Sequence, residues 1–198
     1  MAVRSPFDDI RDEHLNLLTE MNEVQAAVRG LTGREMGALG QQLVVRDVLE
    51  MFRQRFRLHC RREEEALFPE ANRLVSEGAR GADIFGSFFT SEAEDDMTAH
   101  AAITGHVNEM IDLADALQRP DSEGEAARKL PPLASLTAGL LQRHAAKEDT
   151  LIFPMLEKSL TSDQVEQVRT RLQEIGSARD LTPGESDEDR LAQLGGAD

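Results

Sequence analysis

One motif occurs twice in the chain, and this repeat constrains the fold more than any other feature. His59-Cys60-Arg61-Arg62-Glu63-Glu64-Glu65-Ala66-Leu67-Phe68-Pro69 aligns with His144-Ala145-Ala146-Lys147-Glu148-Asp149-Thr150-Leu151-Ile152-Phe153-Pro154. Both copies read His, three residues, Glu, an acid, three residues, Phe-Pro, at an offset of 85 positions. His14 and His100 stand 86 positions apart, so each copy is preceded by a histidine at nearly the same distance. Two helix pairs, each with a His on its first helix and His-x-x-x-Glu on its second, close into an all-α, up-down-up-down four-helix bundle.

Apolar periodicity supplies the four helices. Ser5-Pro6 reads as an N-cap with proline at the first helical position. Phe7, Ile10, His14, Leu17, Met21, Val24 and Val28 then recur at steps of three and four until Gly30 and Gly33. A second stripe runs Val44, Val48, Met51, Phe52, Phe56, His59, Glu63, Leu67 and ends or kinks at Phe68-Pro69, because proline disfavours helical geometry in the residue before it. A third helix starts near Thr90 or Ser91 and carries Met97, His100, Ile103, Val107, Met110, Ala114 and Leu117. A fourth follows Pro131-Pro132 with Leu133, Leu136, Leu140, His144, Glu148 and Leu151, up to Phe153-Pro154. Between the second and third lies a Gly-containing loop whose apolar piece, residues 84–89, is either a cap on the bundle or a homodimer contact. Thr161-x-x-Gln164 fits a capping box for a short extra helix to Ile175. The expected organisation is therefore a bundle over residues 1–176 and a flexible acidic tail over 177–198. Residues 180–198 hold six acids and one base.

Spacing turns the repeat into chemistry. Residues four apart on a helix lie about 40° apart in azimuth and about 6 Å apart along the axis. Each His-x-x-x-Glu thus presents an imidazole and a carboxylate to one spot. Imidazole suits iron, copper, zinc or nickel. A carboxylate can span two ions about 3.5–4 Å apart. The simplest assembly gives two histidines to each of two metals, bridged by both glutamates. The candidate ligands are His14, His59, Glu63, His100, His144 and Glu148. A lone His on an apolar stripe is ordinarily a core residue, and a lone His-x-x-x-Glu a surface pair. Their matched recurrence, and the cost of burying an unpaired glutamate, favour a metal site. His106 is six residues beyond His100, about 120° away in azimuth, and is read as a non-ligand. Cys60 follows a ligand and reads as a buried neutral thiol. Ferritin-like centres need Glu-x-x-His, and the residues three before the five histidines are Arg11, Phe56, Met97, Ile103 and Leu141. His-Glu-x-x-His is absent too.

Composition narrows the function classes. A net charge of −15 argues against nucleic acid and anionic membranes as partners. No run of 18 apolar residues exists, and Met1–Arg11 lacks an apolar signal core. With a single cysteine, these features suit a cytoplasmic protein. The chain has no Tyr, so tyrosyl chemistry is excluded.

From Phe7 to about Leu160 the chain resembles the hemerythrin-like family, or HHE cation-binding domain. The resemblance rests on His14, His59-x-x-x-Glu63, Phe68-Pro69, His100 and His144-x-x-x-Glu148. It implies two non-haem iron ions, oxo- or hydroxo-bridged. It also implies a small diatomic ligand or peroxide as partner: dioxygen, peroxide or nitric oxide, bound or reduced at an open iron position. Oxygen-carrying hemerythrins bring His-x-x-x-His on the third helix, whereas here Thr104 follows His100. The pattern is closer to the four-His, two-Glu di-iron proteins implicated in iron–sulfur cluster repair. The last-helix carboxylate ligand is open between Glu148 and Asp149, with Glu148 favoured as the equivalent of Glu63. Whether such a site turns over, acts as a binding or sensing module, or stores iron is left open.

Overall fold

A computed structural model describes residues 4–33, 39–76, 82–119 and 121–176. Within them nearly all of the chain is helical, with no strand: α1 Pro6–Gly33, α2 Leu39–Arg62, α3 Phe68–Ser76, α4 Ala82–Ala116, α5 Glu123–Lys147, α6 Phe153–Ser159 and α7 Ser162–Ile175. The four long helices form a ring in which α1 packs on α2 and α5, and α4 packs on the same two. This is the all-α bundle expected from the repeat. None of the described helices is long and apolar enough to cross a membrane. The expected tail, residues 177–198, lies outside the described residues.

Local chemistry sets the helix ends. Ser5 Oγ accepts from Phe7 N–H at 3.3 Å while Asp8 Oδ2 accepts from Ser5 N–H at 3.2 Å, which satisfies amides left open at the start of α1. Thr161 and Gln164 close the capping box expected for α7: Thr161 N–H donates to Gln164 Oε1 at 2.7 Å, and Gln164 N–H to Thr161 Oγ1 at 3.4 Å.

Both motif copies contain a π-helical turn, Glu63–Leu67 and Glu148–Ile152, each starting at the candidate ligand glutamate. Phe68 N–H bonds Glu63 O and Phe153 N–H bonds Glu148 O, so the hydrogen-bonded ring is one residue wider than in an α-helix. Proline follows directly in each copy. In an α-helix its ring would clash with the carbonyl four residues back. The wide turn opens that stretch, and the chain continues into α3 and α6 where a kink or stop was expected.

Two other expectations are corrected. The third long helix begins at Ala82 and not near Thr90, so residues 84–89 belong to α4 and not to a loop. One glycine, Gly86, is too small a penalty to interrupt a helix this long. The side chains of 84–89 lie outside the described residues. Helix α5 begins at Glu123 and runs through Pro131 and Pro132, because burial of Ala126, Leu130 and Ala134 along one face sustains it.

The buried stripes also shift by one residue in places. On α2 the core takes Val45 and Leu49, leaving Val44 and Met51 half exposed. On α5 it takes Thr137 and Leu141, not Leu136 and Leu140, and in the Glu148–Ile152 turn it takes Ile152, not Leu151. Adjacent apolar residues offer two stripes of equal period, and packing selects one.

The core divides in two. The larger cluster runs from Leu17 to Leu31 on α1 and includes Phe52, Phe56, Ile103, Met110 and Leu130. The smaller holds Phe7, Ile10, Leu67, Phe68, Phe153 and Leu156, covered by Val168 and Leu172 of α7. His14 falls between Ile10 of one and Leu17 of the other, so the histidine layer separates the two apolar clusters.

Candidate metal centre

Each of the four long helices contributes to this layer. His14 comes from α1, His59 from the last turn of α2, His100 from α4 and His144 from the last turn of α5, and Glu63 and Glu148 open the two π-turns. All six residues are between 0% and 4% exposed. His14, His59, Glu63, His144 and Glu148 each offer a ligand atom within 4.8 Å of the others. His100 joins them through its Nε2, 3.1 Å from Glu63 Oε2 and 3.3 Å from His144 Nε2.

The histidines come as two pairs. Ring centroids are 4.8 Å apart for His14–His59 and for His100–His144, whereas the pairs described across the two halves lie between 5.9 and 6.3 Å. Glu63 divides its oxygens between them. Oε1 lies 3.5 Å from His14 Nε2 and 3.4 Å from His59 Nε2. Oε2 lies 3.1 Å from His100 Nε2 and 4.0 Å from His144 Nε2. Glu148 Oε2 sits 3.0 Å from His14 Nε2 and 3.5 Å from His144 Nε2, one histidine of each pair.

The outward ring nitrogens face carboxylates. His14 Nδ1 bonds Asp149 at 2.9 Å, His100 Nδ1 bonds Glu64 at 2.9 Å and His59 Nδ1 bonds Glu13 at 3.3 Å. Asp96, itself buried, lies 3.7 Å from His144 Nδ1, an ion-pair distance, and 3.4 Å from Lys147 Nζ. A carboxylate on Nδ1 fixes the tautomer that leaves Nε2 free to coordinate. The second acid of each repeat, Glu64 or Asp149, therefore reaches across to the first-helix histidine of the opposite half. The sequence offered Asp149 only as an alternative ligand to Glu148 and gave Glu64 no role; the position of each acid next to a repeat glutamate was the available signal. Glu13 and Asp96 carry no such signal. They occupy unmatched positions, one residue before His14 and four before His100.

The residues fit a bound cation. His14 Nε2, His59 Nε2 and both oxygens of Glu63 and Glu148 are buried without a hydrogen-bond partner. Their short separations do not have hydrogen-bonding geometry, so the groups converge on shared space rather than on one another. Leaving ionised carboxylates so placed costs several kcal/mol each.

Charge is consequently strained in the metal-free centre. Burial and the facing charge of Glu63 push the Glu148 carboxyl well above its ordinary range. Burial pulls His14 down, but the hydrogen bond to Asp149 and the close carboxylates of Glu148 and Glu63 outweigh it and lift His14 to about 11. His100 is raised to about 12, contacts with Cys60 and Glu63 overcoming burial. Cys60 is a buried free thiol pushed up to about 11 by desolvation.

Asp149 stands outside the inner cluster, partly exposed, while Glu148 faces into it. His106 and Thr104 are both half-buried and neither belongs to the cluster.

A buried set of imidazoles and carboxylates at the middle of a helical bundle defines a candidate metal centre with His and Glu donors. Residues 5–85 match the family model described as Hemerythrin HHE cation binding domain. That stretch includes His14, His59 and Glu63. The internal repeat and the geometry bring in His100, His144 and Glu148. No curated protein matches the chain.

Proposed function

We propose that the chain is a non-haem di-iron protein in which His14, His59, Glu63, His100, His144 and Glu148 hold two iron ions, and which binds or reduces dioxygen, peroxide or nitric oxide. The observation that carries this reading is the division of Glu63, one oxygen towards each histidine pair. A single ion needs no such division. Two bound irons would supply electrons and vacant coordination positions for a small ligand. The chain's own residues do the rest. Asp149, Glu64 and Glu13 orient imidazoles, and the apolar clusters on either side keep bulk water out.

The test is anaerobic reconstitution with ferrous iron, a metal count, then titration with oxygen, peroxide and nitric oxide. About two irons per chain are expected. A count near one after full loading overturns the binuclear reading. A stable, reversible oxygen spectrum would make the protein a binding or sensing module. Rapid oxidation with peroxide formed or consumed would make it an oxidoreductase. Iron uptake without either would make it a reservoir.

A further inference from the structure

Every candidate ligand is buried, so a cation has to be conducted to the centre. A groove of about 400 Å³ between α1 and α2 reaches the cluster at His59. Leu17 and Leu58 line it, and its charged residues are Glu13, Glu20, Glu23 and Arg55. The three acids stand at positions 13, 20 and 23 of α1, which share one helical face. Exposure falls along them. Glu23 is at the surface, the Glu20 and Glu13 side chains are 14% and 13% exposed, and His59 is 1% exposed.

Glu20 is held by Arg55 through Oε1, while Oε2 is buried without a partner. Burial raises the Glu20 carboxyl above its ordinary range even with Arg55 upon it, so a passing cation would stabilise its charged form. Glu13 divides its oxygens between Arg62 and His59 Nδ1, directly behind the centre.

We propose that this groove is the inlet through which a divalent cation reaches the buried cluster, with Glu20 relaying it from Glu23 at the surface towards Glu13 and His59. The proposal rests on the metal-centre reading above. A negative groove between low-dielectric walls concentrates cations and raises their on-rate. An inlet residue changes how fast the centre fills and empties, not how tightly it holds.

The test is stopped-flow loading of metal-free full-length protein with Co2+, followed by its visible absorbance, and with Fe2+ under anaerobic conditions. Glu20→Gln should slow loading about three- to ten-fold and Glu20→Gln/Glu23→Gln further, while Arg55→Gln speeds it. Release to a chelator should slow in proportion, leaving Kd and metal content unchanged. Glu125→Gln, on the exposed face of α5, serves as the charge control and should load at the wild-type rate. Wild-type loading should fall more steeply with salt than loading of the double variant.

Equal loading rates in wild type, double variant and Arg55→Gln, at normal metal content, overturn the inlet. Equal slowing in Glu125→Gln overturns it too, because overall charge would then be the cause. A wild-type protein that takes up neither metal overturns the metal centre itself, and the inlet with it. Should Glu20→Gln fail to fold by circular dichroism, the opposite sign expected of Arg55→Gln decides the matter.

Discussion

Asp149 Oδ1 lies 2.9 Å from His14 Nδ1, although the two residues belong to opposite halves of the repeat. Glu64 and His100 repeat the relationship at 2.9 Å, so each half orients a histidine of the other. Asp149→Asn and Glu64→Gln should weaken metal binding roughly 10- to 100-fold without changing the number of metals bound at saturation. Competition against a chelator of known affinity measures this. Unchanged affinity in both variants would show that the bundle alone holds these rings in place.

Removing a donor should act differently from removing its support. His59→Ala and His144→Ala each take one imidazole from a different pair, and iron content after dialysis should fall sharply in both. His106→Ala should retain wild-type iron, since His106 lies outside the cluster. Comparable iron loss in the His106 variant would place that residue at the centre and break the two-pair arrangement.

The repeat made the inner residues legible because each imidazole and carboxylate had a matched counterpart at a fixed offset. The choice of Glu148 over Asp149 rested on the same match, and the geometry gives both residues positions: Glu148 inward, Asp149 behind His14. The π-turns were not legible. Phe68-Pro69 and Phe153-Pro154 signal a break in α-helical hydrogen bonding, and sequence does not say whether a chain answers with a stop or a wider turn. The start of α4 and the path of α5 through Pro131-Pro132 were hidden for a related reason. Local breaker signals were outweighed by packing along faces whose partners lie far away in sequence. The groove between α1 and α2 depends on residues 13–23 meeting 55–59, which periodicity does not report.

The metal-free protein should lose stability as pH rises above neutrality. His14 is at about 11 in the folded chain against an ordinary 6.5, and His100 at about 12. A raised histidine contributes fully below the unfolded value, and the contribution is lost as pH climbs through the folded one. The Tm of metal-free protein should therefore fall progressively between about pH 6.5 and 11. Both histidines carry a proton at pH 7.5 and must lose it to coordinate, so metal addition should release protons into a weakly buffered indicator solution. A flat Tm profile over that range together with no proton release would show that the centre is already neutral before metal arrives.

Phe153 is the residue on which fold and site depend together. Its ring is fully buried, stacks on His14 at 5.8 Å with an interplanar angle of 4°, and meets Phe7 at 5.7 Å. Arg11 covers it at 5.5 Å, and Arg11 is itself tied to Glu157 of α6 at 2.8 Å. Phe153→Ala should cost about 3–5 kcal/mol in denaturant unfolding of the metal-free protein, and Phe153→Leu under about 2 kcal/mol. The alanine variant should also bind metal more weakly, because His14 loses the surface that keeps its ring edge aimed inward. Phe68 is the repeat equivalent and provides the comparison. It is buried in the same apolar cluster, but no ring contact with His100 is found among the described residues. Phe68→Ala should therefore lose comparable stability while keeping metal affinity within about threefold of wild type, a difference under 1 kcal/mol. Equal loss of affinity in both variants would mean that the stack does not hold His14, and that general loosening of the lower cluster accounts for the effect.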